Sequence, residues 1–240
     1  FLDEREVSKK SRNEILSKFS SYQNVKKIIV ESRPEFIEKN VISDSMNHIG
    51  NFEIGIGVET SNDLIRDRCI NKGFSFEDFV QAAEIAKECG ASIKAYLLLK
   101  PPYLSEKEAI EDAIKSAIDV SNYASTISLN LCNIQNATKV YDLWKNGCYR
   151  PPWLWSAVEV IKRIKVDIED KIVLSDPIGA GFNRGPHNCG RCDRTIADKI
   201  RKFSLLQDIS IFDDVHCECE EIFKREMHLE EISFGSPLIL

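Results

Sequence analysis

Two groups of side chains in this sequence have the types and spacing that carry chemistry. The first is Cys189 and Cys192, within His187-Asn-Cys-Gly-Arg-Cys192, followed later by Cys217-Glu-Cys219. A Cys-x-x-Cys turn sets two thiolates on one side of a knuckle, and a second pair completes a tetrahedral thiolate site. Gly179, Gly181 and Gly185 give the backbone freedom that such a region needs. Zinc is the default ion for four thiolates; an auxiliary Fe–S cluster takes the same ligands, and the sequence leaves both open. His187 or His216 can replace one cysteine in the ligand set.

The second group is Glu31, Arg33, Glu59 and, less sharply, Asp176, each placed where a short apolar run stops. If the runs are neighbouring parallel strands, Glu31 and Glu59 end side by side. Arg33 can then hold both carboxylates ionised, or all three can face a polar ligand. Asn130, Asn133, Gln135 and Asn136 add uncharged donors and acceptors that suit a base or ribose edge. Charged residues also simply mark where strands meet water. Cys69, Cys89, Cys132 and Cys148 lack mutual ligand spacing and read as packing residues. Arg184, Arg191, Arg194, Lys199, Arg201 and Lys202 surround the cysteine knuckle, either as a phosphate-backbone surface or as a solvated face. Trp144, Tyr149, Trp153 and Trp155 can stack bases or cap the end of the fold.

The elements that must position these residues alternate regularly. Val25–Glu31, Phe52–Glu59, Ser92–Leu99, Thr126–Asn133 and Lys171–Asp176 read as strands. Ser75-Phe-Glu-Asp78 and Ser105-Glu-Lys-Glu108 are capping boxes that open helices, the first of which ends at Gly90. Further helices are predicted over Glu4–Phe19, with Val7, Ile15, Leu16 and Phe19 buried, and over Glu35–Met46, Asn62–Ile70 and Trp155–Lys165. Residues 134–154 read as an irregular excursion. Five strands, each followed by helix, demand a parallel α/β sheet with right-handed crossovers, as an open doubly wound sheet or an arc of a barrel. Function in such sheets gathers at the carboxyl ends of strands, here Glu59, Thr60 and Lys100. No Gly-x-Gly-x-x-Gly or Walker loop follows any strand.

With 240 residues, 43% of them hydrophobic, the chain can bury one sizeable core plus a small appendage. We divide it into an α/β unit over 1–176 and a metal-binding extension over 177–240. A net charge of −6 argues against an obligate charge-driven nucleic-acid binder but allows a local basic face. No apolar run is long enough to span a membrane, which predicts a cytoplasmic protein, and eight cysteines without secretory signals predict reduced thiols. The chain opens Phe1-Leu-Asp-Glu, as a piece of something longer would.

Several stretches together resemble the radical S-adenosylmethionine family, in particular the archaeosine-forming tRNA-modifying group of its Elp3-like branch. They are Ile28-Ile-Val-Glu-Ser-Arg-Pro-Glu-Phe-Ile37, Glu53-Ile-Gly-Ile-Gly-Val-Glu-Thr60 and Asn71-Lys-Gly-Phe-Ser-Phe-Glu-Asp-Phe79. Lys94-Ala-Tyr-Leu-Leu-Leu-Lys-Pro-Pro102 and Gly185-Pro-His-Asn-Cys-Gly-Arg-Cys-Asp193 continue the likeness over nearly the whole chain. The resemblance implies a partial (βα)6 TIM-like barrel with S-adenosylmethionine across the strand ends. Glu31, Arg33 and Glu59 would lie near the cofactor, with Asn133 near the adenine. It further implies a lyase-type radical cleavage of a lysine-modified 7-deazaguanine in tRNA, a [4Fe–4S] cluster, and a second archaeosine-synthase subunit as partner. The family's Cys-x-x-x-Cys-x-x-Cys is absent from these residues, so the cluster strands are expected outside the chain and the chain alone is expected to be inactive. A barrel remnant that holds tRNA or a partner without catalysis is the alternative.

Overall fold

The computed structural model describes residues 1–232; residues 233–240 of the predicted extension lie outside it. The strands are β1 (Ile28–Glu31), β2 (Phe52–Glu59), β3 (Ser92–Leu99), β4 (Thr126–Leu131) and β5 (Ile172–Leu174). They form one sheet in the order β1-β2-β3-β4-β5, every neighbouring pair parallel. The helices are α1 (Lys9–Ser20), α2 (Lys39–Met46), α3 (Asp63–Ile65, continued by a π-turn over Arg66–Ile70), α4 (Phe76–Glu88) and α5 (Glu106–Ser121). They continue as α6 (Lys139–Lys145), α7 (Leu154–Asp167), α8 (Asp193–Leu206) and α9 (Cys219–Ile232).

Strand order decides between the two predicted architectures. A doubly wound sheet reverses direction once, which puts helices on both faces. Here each strand is added on the same side of the last, so right-handed crossovers put the connecting helices on one face only. The chain is therefore an arc of a barrel, convex side helical and concave side open.

The alternation within strands follows from that. Ile93, Ala95, Leu97 and Leu99 of β3 are buried under the helices, while Ser92, Lys94, Tyr96 and Leu98 point to the concave side and are only half-buried. In β2, Ile54, Ile56 and Val58 are fully buried, alternating with Glu53, Gly55, Gly57 and Glu59. The sheet is thus covered by helices on one face and largely polar on the other. Glu53 closes the amino-end floor, receiving hydrogen bonds from Lys27 Nζ (3.2 Å) and Thr126 Oγ1 (3.0 Å).

Both capping boxes form reciprocally, Ser75 with Asp78 and Ser105 with Glu108. Two local expectations change. In α1 the buried residues are Arg12 and Leu16, whereas Ile15 and Phe19 are exposed, because the helix starts later, at the Ser8 cap, and turns a different face inward. The 134–154 excursion contains α6, whose N-terminus is capped by Thr138 accepting from Tyr141 N. As the fifth strand's helix, α8 packs on β5, and Cys192, Ile196, Phe203, Cys219 and Phe223 join the same core as the strands. Among the described residues no helix is long and apolar enough to cross a membrane.

Candidate functional site

A cavity of about 490 Å³ opens on the concave face at the carboxyl ends of β1, β2 and β3. Its walls include Glu31, Arg33, Glu59, Lys72, Tyr96 and Asn130. Gly55 and Gly57 form its floor. A Cβ on Gly55 would stand 2.8 Å from the Tyr96 ring, and one on Gly57 would stand 2.7 Å from Lys72 Nζ and 2.8 Å from Glu59 Oε1. Glycine in a strand interior is otherwise unfavourable, and it marks a place where another group must come close to the backbone.

The sheet brings Glu31, Arg33 and Glu59 to one cavity, but not in the expected pairing. The register sets Glu31 opposite Gly55, so the two carboxylates end at different levels. Glu59 follows a bulge between Gly57 and Glu59 and has a left-handed φ of 65°. Bulges commonly re-aim a side chain in this way. The cation that holds Glu59 is Lys72, at 2.6 Å, on the loop after the π-turn. Arg33 instead donates to Glu35 (2.5 Å) and to the Lys72 carbonyl (3.2 Å), because Glu35 is two residues away and Glu59 is already matched. Tyr96 is raised above the usual phenol pKa, first by burial and then by the Glu31 carboxylate beside its hydroxyl.

Asn133 lies apart from this cavity. Its Nδ2 donates to the Ile178 carbonyl at 3.2 Å, and Asn130 is the asparagine on the cavity wall. Asp176 is turned away as well, paired with Arg201 at 2.8 Å. Asn130 is one of the strand-end asparagines expected from the sequence, whereas Lys72 and Tyr96 were not singled out. Period-two alternation in β3 and β4 carries Tyr96 and Asn130 to the polar face and is the signal that finds them; nothing local places Lys72.

Lys100, the other strand-end cation, is buried. Its Nζ donates to Glu106 at 2.5 Å, and Glu106 also accepts from Trp153 N (2.8 Å) and from the Ser156 hydroxyl. Tyr149 donates to the Lys100 carbonyl at 2.7 Å. Tyr149, Trp153 and Trp155 are buried, which leaves Trp144 as the half-exposed ring of that set.

The four cysteine sulfurs converge, all lying within 4.8 Å of one another. Cys189–Cys192 is 3.9 Å, Cys189–Cys217 is 3.7 Å and Cys192–Cys219 is 3.5 Å. A tetrahedral ion with metal–sulfur bonds of about 2.3 Å has sulfur edges of about 3.8 Å. The donor set fits one such ion; a polynuclear Fe–S core would hold the sulfurs farther apart. His187 and His216 fall outside the set.

The knuckle is built by its neighbours. Buried Asp193 accepts from Asn188 N and Gly190 N, both at 2.6 Å, and Gly190 supplies the left-handed turn at φ 87°. Trp155 Nε1 donates to Cys219 Sγ (3.3 Å) and Asn188 Nδ2 to Cys192 Sγ (3.4 Å). Asn188 Oδ1 meanwhile accepts from Leu154 N at 2.9 Å, capping α7. Burial raises the Cys189 thiol, but donation from the Arg191 and Cys192 amides outweighs it and brings the pKa to about 6. The knuckle's basic residues are largely neutralised: Arg191 pairs with Glu218, Arg194 with Asp198, Lys199 with Asp214 and Arg201 with Asp176. Of the remaining cysteines, Cys69 and Cys132 are buried, Cys89 is half-buried and Cys148 is exposed.

No family model matches the chain. The archaeosine synthase subunit beta of Methanosarcina acetivorans is 45% identical over 241 residues, covering 100% of this chain and 70% of that protein. The protein of the same name from Thermococcus kodakarensis is 44% identical over 224 residues, covering 92% of this chain and 69% of its own length. Among solved structures, the Elp3 of Methanocaldococcus infernus with an N-terminal deletion superposes with a TM-score of 0.58 at 21% identity. That match covers 82% of this chain and 49% of the other, and it speaks for the fold alone. By its identity to these relatives over about seven-tenths of their length, and with an Elp3-like fold, the chain belongs to the archaeosine synthase subunit beta family.

Proposed function

We propose that this chain is the barrel portion of a radical S-adenosylmethionine enzyme that modifies a base in tRNA. The reaction we favour is archaeosine formation by cleavage of a lysine-modified 7-deazaguanine. The observation that carries this reading is the glycine-floored cavity at the strand ends, ringed by Glu31, Arg33, Glu59 and Asn130, in a member of this family. Glu59 and Glu31 would accept hydrogen bonds from ribose hydroxyls and the methionyl ammonium, and Arg33 would receive its carboxylate. Lys72 would hold Glu59 aimed into the cavity, and the two glycines would let the cofactor lie against the strand. When bound and reductively cleaved, S-adenosylmethionine supplies a carbon-centred radical. No Cys-x-x-x-Cys-x-x-Cys occurs in these 240 residues, so a [4Fe–4S] cluster would be held by residues outside them and this chain alone would not start the reaction.

Cys189, Cys192, Cys217 and Cys219 would hold one structural ion, with zinc the best fit to four converging thiolates. The relatives' name, a subunit beta, supports a second subunit as partner, and tRNA as substrate suits a cytoplasmic enzyme. Calorimetric titration with S-adenosylmethionine tests the central claim. Binding by the chain that weakens about tenfold or more in Glu59→Ala supports it; absence of any binding heat with the unaltered chain sinks it.

A further inference from the structure

Beside the cavity, on the same rim, α6 and the loop 178–184 form a second surface that the cofactor reading does not use. Its base is a small apolar cluster of Cys132, Ile134 and Tyr149, against which Leu98, Tyr141 and Trp144 pack. Leu98 belongs to the concave side of β3, so this cluster sits at the mouth of the arc. Asn130 of β4 lines the cavity and Asn133, just past the end of that strand, holds the loop through Ile178 O, so the two sites adjoin at the carboxyl end of β4.

The loop is tight. Ile134 N donates to Arg184 O (2.8 Å), Gly181 N to Pro186 O (3.0 Å) and Gly185 N to Phe182 O (2.9 Å). A Cβ on Gly185 would overlap the Gly179 carbonyl. At the tip of this preorganised turn Phe182 is 73% exposed and Ile178 is 68% exposed. A large aromatic held in water on a fixed turn is the kind of feature that marks an interaction site.

The charges beside it are mainly cationic, with Asp142 the one carboxylate on α6. Arg184 lies over the Tyr141 ring at 5.5 Å, bonded to Asn136 Oδ1, and Lys145 lies over the same ring at 4.9 Å. Among the described residues no carboxylate pairs with Arg184, Lys145 or the exposed Lys139. That contrasts with the knuckle, where cations meet carboxylates, and with the whole chain at −6. Aromatic platforms interleaved with free cations suit unpaired nucleotides, whose bases stack and whose phosphates attract the charge. A protein partner would be expected to cover the apolar tips without needing three unpaired cations.

We infer that α6 and the 178–184 loop form a stacking surface for unpaired nucleotides of an RNA strand, positioned to lead the target base toward the cavity. This rests on the tRNA reading above. The test is fluorescence anisotropy with a labelled tRNA transcript and with a single-stranded oligouridylate. Phe182→Ala and Arg184→Ala should each weaken binding about tenfold, and Phe182→Trp should restore it. Arg184→Ala should also lower the salt slope by about one, whereas Phe182→Ala should leave it unchanged. Because Trp153 and Trp155 are buried, RNA should quench mainly Trp144, and Trp144→Phe should remove that signal. Arg201→Ala, at the neutralised knuckle, should bind as the unaltered chain does. If the unaltered chain binds RNA and the Phe182 and Arg184 variants bind equally well, this surface is wrong and the tRNA reading stands. If the unaltered chain binds no RNA, both fall. Unchanged RNA affinity with weakened self-association or subunit association in sedimentation would mark a protein contact and overturn the inference.

Discussion

Two adjacent strands end in the same way and are used differently. β2 ends at Glu59 and β3 is followed by Lys100, both with left-handed backbone, φ 65° and 61°, and both in an ion pair. The Lys100–Glu106 pair is closed: side-chain exposures are 8% and 1%, and the carboxylate is further bonded to Trp153 N and Ser156. The Glu59–Lys72 pair is open, 18% and 24% exposed, beside the glycine-floored cavity. Left-handed conformations at non-glycine residues cost of order 1–3 kcal/mol, so each must be held by its surroundings. At Lys100 the surroundings are packing and a satisfied network. At Glu59 they are one lysine and space for a ligand. Two left-handed residues at neighbouring strand ends thus divide into one that fastens the rim and one that offers it to solutes.

The sharpest way to break this contrast is Glu106→Ala. It leaves an ammonium buried without its counter-ion and strips acceptors from the start of α7. We expect a loss of about 3–5 kcal/mol in urea unfolding, whereas the paired change Lys100→Met with Glu106→Leu should lose much less. If Glu106→Ala costs under about 1 kcal/mol, the closed pair is no fastener.

The fastened rim also holds the thiolate site, since Asn188 bonds Cys192 and caps α7 at once. Asn188→Ala should lower metal affinity about 10–100-fold by competition with a chromogenic chelator, and Trp155→Phe should act in the same direction through Cys219. Equal affinity in both variants would show that the knuckle is indifferent to its support.

At the open pair the effect moves from stability to ligand. Glu59→Ala should weaken S-adenosylmethionine binding about tenfold yet change unfolding free energy by less than about 1 kcal/mol, because the pair is partly solvated. Lys72→Met should do the same at smaller scale, by releasing Glu59 rather than removing it. A large stability loss with unchanged binding would make the two rims alike.

What could be read from residues alone divides along the same line. The strands, both capping boxes and the cysteine set were legible because each is written in local spacing: period two, Ser-x-x-acid, Cys-x-x-Cys. The cavity was half legible. Glu31, Arg33 and Glu59 end apolar runs, but the bulge at Glu59 and the loop bearing Lys72 depend on contacts distant in sequence. So the partner of Glu59 could not be named. Asn133 was drawn to the site by its position at a strand end, yet its side chain is spent on holding the neighbouring loop. The α6 helix was hidden because its seven residues include two aromatics whose burial depends on Leu98 from another strand.

The smallest effect concerns what lies behind the open pair. Thr60, next after Glu59, donates to Asp112 of α5 at 2.7 Å. Burial raises the Asp112 pKa to about 6, from an ordinary 3.8, and the Thr60 hydroxyl and nearby Lys115 and Arg66 only partly offset it. The folded chain therefore keeps this proton over a range where the unfolded chain has released it. Stability from this group is greatest below the unfolded pKa and falls as pH rises from about 4 through about 6, then levels. Asp112→Asn keeps an acceptor for Thr60 and removes the charge. It should leave stability nearly unchanged at low pH and raise it by about 1 kcal/mol above neutrality, a figure reduced for the partial exposure of Asp112. The difference between the unaltered and Asp112→Asn unfolding curves isolates this group from the other carboxylates. A flat difference across that window would mean that no proton is held behind Glu59, and that the open rim owes its electrostatics to Lys72 alone.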